Sequence, residues 1–433
     1  PDFQASQDLV RQADRLMRGG PALPDGYQVP PRDEKIRIRE LSHTSLLALI
    51  VEYTAQQLVV EGVSDGSGDL PSVFQPFIRN GMPSRQGALH KAVLSYGEAY
   101  GLALPEALRP ATLTGRGAFM QAFAPGQFGV IFDDPAVDEF PRLAWRRGTK
   151  NGEDTFLIWD DRNQHELYQR DGQWNLRESV SHGFDRTPVI RFTNDPDLSG
   201  AAFGEPVKYQ RDVERHAKTV DDRLRIQHYN SWRVKYAIKL ADNLTPEEEQ
   251  QARLKLEQED ILLGYDDTEF GTLEQTDLAP MISAQDTDRD TLAAVSQTPV
   301  WAFNGGSMVN LSADALVEAK SGNRQKVWNI QRGLNRPYCN WLRLAAQAED
   351  RLADAENFDL MISWADIGSL SLSAAADALG KLAVNLGIPQ DELWEMIPGV
   401  PFQKINAWRE RGPVLAADAA ALVDVRRGAN TEG

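Results

Sequence analysis

The chain of 433 residues is long enough for two or three hydrophobic cores, and its 42% apolar content excludes disorder throughout. Its 63 acidic residues against 46 basic ones give a net charge of −17. That balance argues against tight, sequence-reading DNA binding, which neutralises phosphates with Lys and Arg.

Taken in order, residues 4–18 read as an amphipathic helix, with Leu9, Ala13 and Leu16 on one side, ended by Gly19-Gly20-Pro21. Residues 21–34 are Pro-rich and read as extended. Residues 46–60 read as a more apolar helix ending at Gly62, and residues 83–96 as a third, stopped by Gly97. Residues 99–104 read as a strand. From about Gly117 to Asn194 the apolar period shifts toward two, with short strands at 130–132, 143–145, 155–159, 166–168, 174–176 and 189–192. Asn151-Gly152 and Asp171-Gly172 are hairpin turn signals, so this region reads as an antiparallel meander.

Helix returns at 205–232, followed by a strand at 234–240. Thr245 caps a short acidic helix with Pro246 at its first position. Residues 261–263 and 270–273 read as a β pair across Tyr265, Asp266 and Asp267, and 287–297 as a helix. Then comes an apolar, Gly-rich segment, 299–310, leading into the longest helix of the chain, Ser312 to about Gln347. Ser312 is its N-cap and Asp314 suits the first turn, where the helix dipole favours negative charge. Leu316, Val327, Ile330, Leu334, Tyr338, Trp341 and Ala345 form one apolar stripe, with Arg332, Arg336 and Arg343 opposite. Pro337 cannot donate to the Gly333 carbonyl and crowds it, which predicts a kink there. By itself this pattern describes a core helix behind a surface loop. Residues 358–364 read as one buried strand, and the remainder as helices at 371–386, 390–397 and 402–411. The fold class expected is α+β, mainly helical with a small antiparallel β region.

Catalytic and metal-binding signatures are absent from the sequence. The single cysteine, Cys339, excludes an internal disulfide and a cysteine-based zinc site, and it reads as a buried, inert thiol. Gly115 and Gly117 lack the third glycine of a dinucleotide loop. His43, His90, His165, His182, His216 and His228 are scattered without ligand spacing. Asp133-Asp134, Asp160-Asp161 and Asp266-Asp267 each sit at a turn signal, where Asp serves backbone hydrogen bonding. The ten tryptophans are spread through every region and read as packing residues. No run approaches the eighteen apolar residues that span a membrane, so no membrane partner is expected. No cofactor, metal or enzymatic activity is expected.

Several stretches in this order carry a resemblance: 95–100 (SYGEAY); 187–194 (TPVIRFTN) followed by Gly204-Glu205-Pro206; 311–319 (LSADALVEA); and 362–366 (ISWAD) followed by 371–389. Over roughly residues 40 to 412 they resemble tailed-bacteriophage portal proteins of the type found in phages of actinobacteria. The resemblance implies a homo-oligomeric ring, twelvefold in the family, at one capsid vertex of the virion, assembled in the host cytoplasm. Double-stranded DNA is packaged and ejected through such a ring without sequence recognition. The implied partners are the terminase large subunit, the major capsid protein and scaffold, and a head-completion adaptor.

The implied layout is a wing at 1–204 completed by the strand 358–364, a first stem helix at 205–232 and a clip at 233–281. A second stem helix follows at 284–298, then a tunnel loop at 299–311, the long kinked helix at 312–350, and a crown and tail at 371–433. In the loop, Asn304, Gly305, Gly306, Ser307, Met308 and Asn310 are the residues expected at the DNA. Lys320 and Arg324 read either as a local basic band facing DNA or as partners in ion pairs, with Glu318 close in sequence. Glu247, Glu248, Glu249, Asp266 and Asp267 of the clip read either as partner-facing or as solvated. The competing functions are a metal-dependent acidic hydrolase or nuclease, and a structural adaptor without a channel.

Overall fold

The computed structural model describes residues 2–17, 33–64, 72–110, 113–126, 128–150, 152–231, 235–238, 269–272, 274–303, 320–365, 372–397, 400, 404–405 and 408–409. Helix α1 (Asp2–Met17) is followed by α2 (Asp33–Ser42), α3 (Leu46–Ala55) and strand β1 (Val60–Ser64). Sequence periodicity gives no sign of α2. It also runs the third helix on to residue 60, where the chain instead leaves the helix at Gln56 and enters β1. Val60 and Val63 are β-branched and buried, and pairing with a later strand overrides the helical reading.

Helices α4 (Gln75–Arg79) and α5 (Met82–Tyr96) lead into β2 (Glu98–Leu104). Gly97 ends α5 at φ +88°, and a Cβ there would lie 2.6 Å from the Ala202 carbonyl oxygen, so both conformation and space require glycine. Strands β3 (Phe119–Phe123) and β9 (Val189–Thr193) flank β2 in an antiparallel sheet of order β3-β2-β9. Between them in sequence lies the expected meander, β4 (Phe128–Ile131), β5 (Leu143–Lys150), β6 (Glu153–Trp159), β7 (Asn163–Arg170) and β8 (Gln173–Ser181), paired in chain order. Asp171 and Gly172 both take positive φ at the β7–β8 turn, as the Asp-Gly signal requires.

Strand β2 separates two cores. Ala99 and Ala103 face the larger one, with Phe192, Leu334, Tyr338 and Trp341. Tyr100, Leu102 and Leu104 face the smaller one, with Phe128 and Trp159. Period two on a strand buried on both faces produces this division.

Helices α6 (Glu205–Lys208) and α7 (Gln210–Asn230) follow, then a strand pair β10 (Lys235–Ile238) and β11 (Glu269–Thr272). Among the described residues β11 pairs with β10, and residues 261–263, expected to pair with it, lie outside them. Helix α8 (Ala279–Ser296) begins eight residues earlier than its sequence pattern suggests, and the one-turn helix α9 (Val300–Phe303) follows it. The long helix α10 is described over Ser321–Gln347 and continues without interruption past Pro337. Of the seven stripe residues, Leu316 lies outside the described residues, and the other six, Val327, Ile330, Leu334, Tyr338, Trp341 and Ala345, are buried. Beyond Pro337 burial spreads to Cys339, Asn340, Leu342, Leu344 and Ala346, so this half of the helix is enclosed on nearly every side.

Helix α11 (Leu352–Ala355) leads to β12 (Met361–Trp364), which pairs antiparallel with β1. The expected buried strand is thus shorter and half exposed: Leu360 and Ile362 are buried, but Phe358 and Met361 are not. Side chains satisfy the outer edges of this two-stranded sheet. Gln86 Nε2 and Oε1 bond the Val60 carbonyl and N–H, and the Ile362 N–H donates to Asn335 Oδ1 on α10. Helices α12 (Leu372–Leu386) and α13 (Gln390–Leu393) follow, and a short 3-10 turn at Trp394–Met396 continues from α13.

Candidate functional site

The Gly-rich loop itself, with Asn304, Gly305, Gly306, Ser307, Met308 and Asn310, lies outside the described residues, as do Ser312, Glu318, Glu247, Glu248, Glu249, Asp266 and Asp267. Both anchors of the loop are described. On one side α8 ends where Gln297 turns left-handed at φ +52°, and the Thr298 N–H returns to the Ala293 carbonyl at 3.0 Å. This closure redirects the chain into α9. Phe303 of α9 packs beside Leu292 of α8 and Leu46, Leu47 and Ile50 of α3.

On the other side stands α10. Its Lys326 is 9% exposed, and its ammonium lies 2.5 Å from Glu205 Oε2 and 3.0 Å from the Ser296 carbonyl oxygen. Glu205 is 2% exposed, and its other oxygen accepts from Asn194 Nδ2 at 3.2 Å. The Tyr209 ring lies 5.6 Å from the ammonium. Burial, then the Glu205 carboxylate, raises the Tyr209 hydroxyl well above the usual phenol range. The cation therefore meets a carboxylate, a helix C-terminal carbonyl and an aromatic face at once. In doing so it joins the start of α6, the end of α8 and the base of α10. Of these, α8 (with the short α9 after it) and α10 bracket residues 304–319.

Periodicity alone does not find this clamp. One signal was available: Lys326 sits within the apolar stripe, one turn before Ile330, where a lysine must find a buried partner. Nothing in sequence identifies Glu205 as that partner, 121 positions away.

Lys320 is half-buried and Arg324 exposed, one helical turn apart, with the Arg324 N–H donating to the Lys320 carbonyl at 3.0 Å. Arg324 lines a surface cleft of about 630 Å³ together with Trp328, Gln331 and Trp364. Gly333 and Pro337 lie inside α10, and a Cβ at Gly333 would meet open space.

Two of the three acidic pairs can be placed, and both serve turns. Asp160 accepts from the Arg162 and Asn163 N–H groups and contacts His165 Nε2 at 2.9 Å. Asp134 accepts from the Ala136 N–H. Among the described residues no group of three or more His, Cys, Asp or Glu side chains is placed to hold a metal ion, and no helix is long and apolar enough to cross a membrane. Burial pushes the Cys339 thiol up to about 11, and its Sγ donates to the Leu360 carbonyl, so it is a packing residue.

A family model described as "Phage portal protein, SPP1 Gp6-like" matches residues 17–412. No curated protein matches. Among solved structures, a chain of "Virion of native gene transfer agent (GTA) particle" is 14% identical with a TM-score of 0.39, over 88% of this chain and 95% of that one.

Proposed function

The chain belongs to the phage portal protein family of the SPP1 Gp6-like type, and from that premise we propose that its copies close into a ring, twelvefold in the family, at one capsid vertex. Double-stranded DNA enters during packaging and leaves during ejection through the centre. In this reading residues 1–204 with β12 form the wing, α6 with α7 and then α8 form the stem, and residues 233–281 form the clip. Residues 299–311 form the tunnel loop and residues 371–433 the crown and tail. The clip docks the terminase large subunit first and the head-completion adaptor afterwards, and the outer surface meets the major capsid protein and scaffold.

The observation that carries this reading beyond family membership is the clamp at Lys326. A loop that borders a moving polymer needs both of its ends fixed while its middle adapts. The buried bonds from Lys326 to Glu205 and to the Ser296 carbonyl supply that fixity at both ends. Asn304, Gly305, Gly306, Ser307 and Asn310 offer small, uncharged contact, so DNA is bordered without being gripped, and Met308 packs between neighbouring loops. Twelve copies at −17 sum to roughly −200, which disfavours adhesion of phosphates to the wall. Lys320 and Arg324, at the base of the loop, supply a local exception.

Negative-stain imaging of the purified chain, averaged down the symmetry axis, tests the reading. A ring with a hole a little wider than duplex DNA is the expected result. A compact two-fold particle without a hole would overturn it.

A further inference from the structure

Helices α7 and α8 run antiparallel, and their outward faces differ in charge. Arg215 Nε bonds Asp288 Oδ1 at 2.8 Å, and Asn230 Nδ2 bonds the Thr276 carbonyl at 2.7 Å, which fixes the alignment. On α7 the outward stripe carries Arg211, Arg215, Lys218, Asp222, Arg225 and Tyr229 at spacings of three and four, four cations against one carboxylate. On α8 the exposed stripe away from α7 carries Ser283, Asp286, Asp290 and Ala294. The alignment sets Asp290 level with Arg215, and Asp286 level with Lys218, to within about one turn.

We propose that the basic face of α7 in one copy docks against the acidic face of α8 in the next copy, so that a single charge-complementary contact repeats around the ring. This rests on the ring reading above and names the surfaces that close it. Cyclic symmetry in which no two-fold relates neighbouring copies demands a head-to-tail contact, in which two different faces of the subunit meet. One helix pair with unlike faces meets that demand. Arg211 and Asp290 are exposed, and neither has an ion-pair or hydrogen-bond partner among the described residues. Among the described residues Lys218 reaches only Asp222 on its own helix, and Asp286 only Arg289 at 3.5 Å. Ser283 and Ala294 keep the α8 face low, so the long side chains of α7 have room to lie across it. Tyr229, 64% exposed, extends the α7 face with an aromatic ring. Contact with a second copy covers that ring and gives the single charges their partners.

Two full-length variants test this. Arg211→Glu with Lys218→Glu makes both faces acidic, and Asp286→Lys with Asp290→Lys makes both faces basic. Each variant alone opposes like charges at every junction. The expected result is that either one needs at least about tenfold more protein than the wild type to form rings in negative stain and sedimentation velocity. Mixed in equal amounts, they restore rings, because acidic and basic subunits alternate around an even-numbered circle. Circular dichroism confirms that each variant is folded. Wild-type rings accompanied by variants that close equally well alone, or by folded variants that fail to close when mixed, would overturn the contact and leave the ring reading standing. A wild-type chain that closes no ring overturns the ring reading and the contact with it.

Discussion

Around Trp341 the chain packs ring against ring, whereas along the seam between α7 and α8 it bonds charge to charge. Trp341 is fully buried, edge-on to Phe77 at 6.3 Å and to Phe192 at 5.6 Å, with its indole N–H donated to the Leu102 carbonyl. A Cβ on Gly101 would lie 2.8 Å from that indole, so helix and sheet meet as closely as glycine permits. Along the seam Arg215 and Thr219 bond Asp288, and the buried apolar groups of the two helices, Ala217, Val220, Leu292 and Ala293, are smaller than the rings around Trp341. Apolar packing is strong and insensitive to direction, while charged contacts are weak singly and specific in direction. The first suits a body that holds its shape. The second suits an element whose outer faces must match another copy.

The comparison breaks most visibly at the tryptophan. Trp341→Ala removes the indole from a site that its neighbours cannot refill. It should cost about 3–5 kcal/mol in denaturant unfolding. A loss under about 1 kcal/mol would mean that the core tolerates a cavity and that the contrast with the seam is false.

The clamp lies between the two regimes, since it is charged yet buried. Lys326→Met leaves the Glu205 carboxylate enclosed without its cation, and the expected loss is about 3–5 kcal/mol. Adding Glu205→Gln should recover more than half of that loss, because a neutral amide still accepts from Asn194 Nδ2. Failure to recover would show that the ammonium's bond to the Ser296 carbonyl, rather than the ion pair, supplies the strength.

Acid sharpens the contrast from within the apolar core. His90 is fully buried, with Nε2 2.8 Å from the Tyr338 hydroxyl, and burial holds its imidazole down to about 4. The unfolded chain takes up that proton near 6.5, so it binds more protons than the folded chain between 6.5 and 4. Stability is therefore fully present above 6.5 and declines as pH falls toward 4, by roughly 3 kcal/mol for this one group. His90→Gln should flatten the pH dependence of the melting temperature over that window. An unchanged slope would assign it to other groups, of which His216 in the seam, also held near 4 mainly by burial, is the first to test.

How much could be read from the amino-acid order follows the same division. The stripe from Val327 to Ala345 and the meander from Phe128 to Ser181 were legible, because apolar period and hairpin turns are local signals. Strand β1 was not legible. Its pairing with residues 361–364, some three hundred positions on, decides its conformation. Strand β11 pairs with residues 235–238, more than thirty positions back, a partner that no local turn signal announces. At the candidate site the loop residues and Lys320 and Arg324 stood out by composition. The Lys326 clamp did not, because a buried pair declares only one member and leaves the other to the fold.

The smallest expected effect lies on the seam itself. Asp288→Asn keeps the shape of the side chain and its bond to Thr219 but removes the charge facing Arg215. Arg215 is about half exposed, so solvent screens the pair, and the loss should be about 0.5–1 kcal/mol. That loss should shrink as salt is raised, while the cost of Trp341→Ala should not. Ring closure under the same conditions separates two roles for Asp288. A variant that melts slightly earlier yet closes as readily as the wild type confines Asp288 to holding α8 against α7 within one subunit. Impaired closure at unchanged stability would place Asp288 on the contact between copies, and the acidic surface would then extend from Asp286 and Asp290 across the seam.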